Sequence, residues 1–316
     1  MNKKFQLKEL LLSSTIDGES EFFPLLSDED EQKIDKEKNP EVLPILPLRN
    51  TVLFPGVIIP ITVTRARSIK LIKEAEKNNK IIGVVSQKDS KIELPQLTDL
   101  NKIGTVAQIL KVLKMPDGNI TAVIQGRKRF ELDEMIETDP YYKAKTKDYV
   151  EVKPYSDKEF DALVSSIKDL ALKIIDESPN IPNEASIAIK NIKSSSFVIN
   201  FVSSNMSISM LNKQNLLEEI DLKKRAIKVL ELLSKELQML EMKNEIQSKV
   251  RTDLDQQQRE YFLHQQMKAI QEELGGSGSG KEIEEMQALA SKKKWSKLVK
   301  EAFEKELKKL QRMNPS

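Results

Sequence analysis

A glycine-rich run near the end of the chain has the residue types that cradle phosphate groups. Gly275-Gly-Ser-Gly-Ser-Gly280-Lys281 satisfies the first seven positions of a phosphate-binding loop, in which backbone N–H groups and a lysine hold the phosphates. The next position of such a loop is serine or threonine, whose hydroxyl binds magnesium, and here it is Glu282. A strand should also precede the loop, whereas the preceding residues here have a helical pattern. The run therefore predicts a flexible connection over 275–281 and no nucleotide site.

The other side chains on which catalysis and metal binding depend are scarce. The chain has no cysteine and a single histidine, His264. Thiolate catalysis, disulfides and zinc–thiolate sites are therefore excluded, and neither a histidine-rich metal site nor a Ser-His triad is expected. His264 lies beside glutamines on a predicted helix, where a surface position is favoured. We predict no catalytic residue, no metal and no cofactor in these 316 residues.

Apolar side chains near a turn and near the end of a long helix form the remaining candidate site. Phe54 and Val57 flank a Pro-Gly turn, whereas Tyr261, Phe262 and Met267 cluster on the predicted helix. Methionine next to aromatic side chains suits an adaptable apolar contact surface. We predict that these five residues contact extended segments of other proteins. The alternative, in which they pack in an ordinary core, stays open for both groups.

Charge and hydropathy give no support for a nucleic-acid or membrane partner. Lys and Arg number 51 against 49 Asp and Glu, so the net charge is only +2. The basic run Arg127-Lys-Arg129 lacks interleaved aromatic residues and is predicted to be a solvated strand end, with nucleic-acid binding as the weaker alternative. No run of 18 apolar residues predicts a membrane span, and the first residues are too polar for a secretory signal. Together with the absence of cysteine, these features predict a cytoplasmic protein.

Residue patterns divide the first two thirds of the chain into three segments. Residues 1–40 hold 10 acidic against 6 basic residues and predict a disordered acidic tail. Residues 41–152 alternate short β-branched runs with turns and one helix, which predicts a small β-rich domain shaped as a closed or half-closed barrel. Apolar residues then recur every three or four positions over 153–212, which predicts a helical bundle that begins with a capping box at Ser156 and Glu159.

A long helix is the next predicted element. Residues 213–274 contain neither glycine nor proline, the residues that most often interrupt a helix. Leucines at a 3-4-3 spacing over 230–240 form the seam of a coiled coil, and the seam thins toward Tyr261. The flexible hinge over 275–281 and a helical segment over 282–316 complete the chain. The predicted fold class is α+β, with a small β-rich barrel-like domain, a helical bundle and a long coiled-coil-type helix.

Three stretches resemble the Lon protease family. The run Leu46-Pro-Leu-Arg-Asn-Thr-Val-Leu-Phe-Pro-Gly-Val57 is similar to the opening of the family's amino-terminal substrate-binding domain. The run Gln258–Gly275 resembles the segment just before its AAA+ ATPase module, and Leu217–Arg225 resembles the start of its long helix. In order and spacing the resemblance covers most of residues 42–316. His264 is a departure, since the family more usually has arginine or another polar residue at that position.

The resemblance implies a barrel-like (PUA-like) domain, a helical bundle and a long helix that leads into a hexameric, ATP-driven protease. In that family a true phosphate-binding loop binds ATP and magnesium, and a serine–lysine dyad hydrolyses peptides; neither has matching positions in this sequence. The implied function is recognition of misfolded or tagged proteins for unfolding and degradation by downstream modules, together with self-association through the long helices. The alternative is a freestanding chaperone-like or scaffold protein, without protease activity, whose long helix pairs subunits.

Overall fold

A computed structural model of the protein describes residue 34 and residues 37–115, 118–155, 157–178, 181, 184–273 and 277–310. Most of the predicted acidic tail over 1–40 therefore lies outside the described residues. The chain divides into two compact units, Met1–Met242 and Lys243–Ser316, which are considered in turn. In the described part of both units, no helix is long and apolar enough to cross a membrane.

The first unit begins with a closed β-barrel. Its strands are β1 Val42–Leu48, β2 Ile58–Val63, β3 Ile81–Ser86, β4 Ile103–Lys114, β5 Ile120–Glu137 and β6 Lys143–Asp148. They form one sheet in the order β2-β5-β4-β3-β1-β6, and β6 pairs with β5 as well as with β1. Five strands therefore close into a ring, whereas β2 pairs only with the first part of β5. The predicted barrel is confirmed in its closed form.

Strand β5 is long enough to pair with two different strands, one after the other along its length. Its residues 120–125 pair with β2, and its residues 130–137 pair with β6. Gly126 lies between these two parts, and a Cβ atom there would come within 2.2 Å of the carbonyl oxygen of Phe54. The N–H of Gly56 donates to the carbonyl of Gly126, and the N–H of Gly126 donates to the carbonyl of Val57, both at 2.9 Å. The Pro-Gly turn is therefore held tightly against β5 at a position where only glycine fits.

A helix and a short turn cover the connections between strands. Helix α1, Ala66–Lys77, joins β2 to β3, and it buries Leu71, Ile72 and Ala75 against the interior of the barrel. Because this crossover contains a helix, β1 and β3 can lie side by side in parallel. A single turn of 3₁₀-helix at Leu97–Asp99 precedes β4.

Among the described residues, four helices lie between the barrel and the long helix: α2 Lys158–Asp176, α3 Glu184–Asn191, α4 Ser195–Asn205 and α5 Met210–Glu218. The N-cap of α2 is Asp157, whose carboxylate accepts hydrogen bonds from the N–H groups of Glu159 and Phe160. The predicted capping residue, Ser156, lies outside the described residues. The apolar faces of these helices share one buried cluster with Phe54, Val57 and Ile103 of the barrel domain. Barrel and bundle therefore have a common core.

The long helix, α6, spans the 52 residues Leu222–Glu273. It begins later than the predicted residue 213, because α5 ends at Glu218 and a new helix begins after Asp221. The carboxylate of Asp221 accepts hydrogen bonds from the N–H groups of Lys223 and Lys224, which is the bonding pattern of an N-cap. The first turns of α6 bury Leu222, Ala226, Val229 and Leu233 in the common core.

The second unit contains the rest of α6 together with α7, Ser277–Ser291, and α8, Lys297–Leu310. The ring of Trp295 meets that of Phe303 edge-on, with centroids 4.8 Å apart, and Leu307 is buried. Within the predicted hinge over 275–281, the described residues from Ser277 onward are helical, because α7 begins there.

Candidate functional surfaces

A buried arginine of strand β5 joins the barrel to the helices. Arg129 is 3% exposed. Its guanidinium donates to the carbonyls of Leu217 and Glu219, at 2.8 and 2.9 Å, and to the carboxylate of Glu151 at 3.1 Å. The carbonyls of Leu217 and Glu219 lie in the last turn and at the C-cap of α5, where backbone acceptors have no partner within the helix. The planar guanidinium therefore links a strand to a helix end through several directed hydrogen bonds.

A second buried arginine reaches the same carboxylate from the start of α6. Arg225 is completely buried and forms an ion pair with Glu151 at 2.9 Å. It also donates to the side-chain oxygen of Asn200 and to the carbonyl of Glu219. The hydroxyl of Ser196 donates to the other carboxylate oxygen of Glu151 at 3.2 Å. One carboxylate thus bridges two cations, and the network ties α4 and α6 to the barrel.

Burial controls the electrostatics of this network. Burial and, to a smaller extent, the nearby charge of Arg225 lower the pKa of Arg129 to about 10, whereas Glu151 opposes the change. Burial also lowers the pKa of Arg225, against the same carboxylate. With a pKa of about 10, the guanidinium group of Arg129 is still charged at neutral pH. The prediction that residues 127–129 form a solvated strand end is therefore wrong for Arg129, because the sequence did not show its partners at the end of α5 and at Glu151.

A cavity of about 330 Å³ lies beside the arginine network. Pro55, Tyr149 and Phe197 give it apolar walls, and Arg127 and Lys153 lie among the residues that line it. The hydroxyl of Tyr149 donates to the carbonyl of Glu218 at 2.6 Å, which fixes that ring against the helices. The lining therefore combines apolar side chains with four basic residues and with one acidic residue, Glu151, which is paired with the buried arginines.

Phe54 and Val57, predicted to contact other proteins, lie in the common core. Phe54 is completely buried and Val57 is 2% exposed. Both belong to the cluster shared with the helical bundle. The turn that carries them is fixed against Gly126, so these side chains are held inside the unit. Their placement corresponds to the core alternative, and an exposed contact role for them is wrong.

Tyr261, Phe262 and Met267 are exposed in the second unit, by 68%, 61% and 50%. They do not share one face of α6, because successive residues of a helix are about 100° apart. Tyr261 continues a stripe of exposed apolar residues at helical spacing, Ile246, Val250 and Leu254, which together we call the distal stripe. Met267 lies with Leu263 and Ile270, and Phe262 projects from another side.

The fold and its surfaces define a class of protein. The chain resembles the solved structure "N terminal domain of Mycobacterium avium complex Lon protease" with a TM-score of 0.51 and 18% identity, over 61% of this chain and 98% of that one. This likeness shows the fold: a closed barrel joined to a helical bundle. It is the architecture of a Lon amino-terminal domain.

Sequence comparison gives the family. Residues 42–235 match the family described as "ATP-dependent protease La (LON) substrate-binding domain". The chain is 56% identical to the Lon protease of Flavobacterium johnsoniae over 315 residues, which cover 99% of this chain and 39% of that protein. It is 48% identical to the Lon protease of Cytophaga hutchinsonii, over 93% of this chain and 36% of that protein. The chain belongs to the Lon substrate-binding domain family, as the resemblance in its sequence predicted, and it spans less than two fifths of the length of these relatives.

Proposed function

We propose that this chain is the substrate-recognition and oligomer-organising region of a Lon-type, ATP-dependent protease. It captures misfolded or tagged proteins in the cytoplasm, and ATPase and protease modules, which use ATP and magnesium, then unfold and degrade them. The family match over residues 42–235 and the identity to two Lon proteases support this role. They favour it over a freestanding scaffold, and the buried position of Arg129 argues against nucleic-acid binding by the basic run.

The observation that carries the proposal is the exposure of large apolar side chains on the distal part of α6. In the distal stripe, Ile246, Val250, Leu254 and Tyr261 are each at least half exposed. Removing apolar surface from water is favourable by about 25 cal/mol per Å². Contiguous exposed apolar residues of this size therefore mark interaction sites. An unfolded protein exposes complementary apolar residues, so it can cover the stripe and Met267.

Self-association is a second use of the same helix. Ile246 and Val250 lie four residues apart, and the flanking pair Glu245 and Lys249 makes an i,i+4 ion pair at 2.7 Å. Apolar residues on one face with charged residues beside them are typical of helices that pair with other helices. An unfolded substrate and another subunit could therefore compete for this surface. Substrate binding and self-association can be measured separately.

The test is to change the exposed apolar residues and measure binding of a permanently unfolded, fluorescently labelled polypeptide by anisotropy. We expect Tyr261→Ala with Met267→Ala to weaken binding by about tenfold, equivalent to about 1.4 kcal/mol. The matched control is Gln258→Ala with Gln266→Ala, which removes two exposed polar side chains from the same helix and should leave affinity unchanged. Phe262→Ala tests a third side of the helix separately from those of Tyr261 and Met267.

Light scattering of the same variants distinguishes the two uses of the surface. If the double apolar variant binds the unfolded polypeptide as well as the unchanged protein does, the substrate role of Tyr261 and Met267 is refuted. A simultaneous fall in molecular mass would then assign these residues to contacts between subunits.

A further inference from the structure

Residues that precede β1 are held along the barrel beside the cavity. The carboxylate of Glu37 lies 2.7 Å from the guanidinium of Arg127. The ammonium group of Lys128 donates to the backbone carbonyl of Glu37 at 3.0 Å. The side-chain amide of Asn39 donates to the backbone carbonyl of Arg129 at 3.0 Å. Polar contacts therefore fix this part of the chain against β5.

The same part of the chain contributes an apolar residue to the cavity. Ile34 lines it, opposite walls that include Pro55, Tyr149 and Phe197. The N–H of Glu37 donates to the carbonyl of Ile34 at 3.2 Å, which holds the acidic and the apolar residue close together. The apolar side chain meets the apolar interior while the carboxylate meets a basic side chain at the border.

The charge of the surroundings complements such a segment. Arg127, Lys128 and Lys153 all line the cavity. Residues 28–37 contain six acidic residues against two basic ones. Complementary charge of this kind guides encounter and selects partners more than it adds affinity.

We propose that this cavity is a docking site for acidic polypeptide segments that carry an apolar residue, and that Ile34 in its wall and Glu37 on Arg127 act as an internal competitor. The inference rests on the proposed role in substrate recognition, and it names a class of substrate segment and a second place to bind it. Burial of the segment's apolar residue in the cavity supplies affinity. Arg127 selects for segments that carry a carboxylate three residues after that apolar residue, as Glu37 follows Ile34.

The internal segment is suited to being displaced. Glu37 is 58% exposed in its pair with Arg127, and exposed ion pairs of this kind are weak. Attachment to the barrel nevertheless gives the segment an effective concentration on the order of millimolar. A free peptide must compete with that concentration, so only segments that bind better than the internal one are retained.

The experiment uses the full chain and a fluorescein-labelled peptide with the sequence of residues 28–38, followed by anisotropy. Ile34→Ala with Glu37→Ala in the protein removes the internal competitor, and we expect the peptide to bind about tenfold more tightly or better, because a millimolar local competitor is lost. Adding Arg127→Glu to that variant should reverse the gain. A peptide that carries Glu37→Lys should then bind the Arg127→Glu protein better than the original peptide does.

Two controls keep the outcomes distinct. Lys147→Ala removes a basic residue of the barrel that pairs with Asp133, away from the cavity lining, and it should leave peptide binding unchanged. Tyr261→Ala with Met267→Ala should weaken binding of the unfolded polypeptide but leave binding of this peptide unchanged. Failure of the proposed function and failure of the cavity proposal are therefore distinguishable. Three results would each overturn the cavity proposal. The first is unchanged peptide affinity after Ile34→Ala with Glu37→Ala, and the second is no recovery of binding with the charge-swapped peptide. The third is a loss of peptide binding in Lys147→Ala equal to that caused by Arg127→Glu.

Discussion

Replacing Glu151 by glutamine tests whether the bridged arginine pair stabilises the first unit. One carboxylate oxygen lies 3.1 Å from Arg129 and 2.9 Å from Arg225, whose side chains are 2% and 0% exposed. Glutamine keeps the shape of the side chain but removes its charge. Glu151→Gln therefore leaves two buried cations close to each other without the carboxylate that bridges them.

The expected loss follows from the burial of the two cations. Removing one partner of a buried ion pair destabilises a protein by about 3–5 kcal/mol. The carbonyls of Leu217 and Glu219 still accept hydrogen bonds from Arg129, which places the expectation near the lower value. The pKa of Arg129 is lowered only to about 10, so at pH 7 the guanidinium stays charged and the loss appears as repulsion. Against a typical stability of about 5–15 kcal/mol, this is a large fraction.

Urea unfolding followed by far-ultraviolet circular dichroism measures the effect. We expect the midpoint to fall at an unchanged slope, which indicates a change in stability alone. Emission of Trp295, the single tryptophan, reports on the second unit. The control is Asp133→Asn, on the same strand β5 as Arg129, which removes the ion-pair partner of the exposed Lys147 of β6. This change should leave the midpoint close to that of the unchanged protein. A loss of less than about 1 kcal/mol for Glu151→Gln would refute this account of the network.

Three further changes test other parts of the first unit. Phe54→Ala should destabilise it by about 3–5 kcal/mol in urea unfolding, while the protein that stays folded binds unfolded polypeptide normally; weaker binding without lost stability would contradict the core position. Gly126→Ala should destabilise it by about 3 kcal/mol, because the new methyl group meets a backbone oxygen; an unchanged midpoint would show that β5 adjusts freely. The hydrogen bond from Lys223 holds the pKa of Asp157 below its usual value, so this carboxylate stabilises the fold above about pH 4 and loses that effect as the pH falls through its lowered pKa. Asp157→Asn keeps an N-cap and should lose less stability at pH 7 than Asp157→Ala, and both should reduce the difference between midpoints at pH 7 and pH 3; an equal difference in all three proteins would contradict the assignment.

Local patterns predicted the elements better than their partners. Strand and helix periodicity identified the barrel residues and the helices that follow, because each pattern depends on near neighbours in the chain. The pairing of β6 with both β1 and β5, which closes the ring, is a contact between residues far apart in sequence and has no local signal. The start of α6 did have one, since Asp221 is a favoured N-cap residue that precedes a regular helical pattern.

The candidate site shows the same limit. Arg129 has the residue type of an exposed side chain, because strongly charged side chains usually are exposed, and only its partners at the end of α5 and at Glu151 explain its burial. Phe54 looked available because turns usually lie at the surface, yet this turn is bound to Gly126 of a distant strand. The exposure of Tyr261 and Met267 was more predictable, since α6 is too polar over this stretch for a buried helix.

The common core and the arginine network determine where this chain can be divided. A fragment that ended near residue 152 would retain Arg129 but lose the carbonyls of Leu217 and Glu219, and it would bare Phe54 and Val57 to water. The barrel is therefore a recognisable shape without being an independent folding unit. The segment that shares this core extends through the first turns of α6. A chimera that exchanges recognition regions between relatives would therefore have to transfer the barrel, the bundle and the start of α6 together.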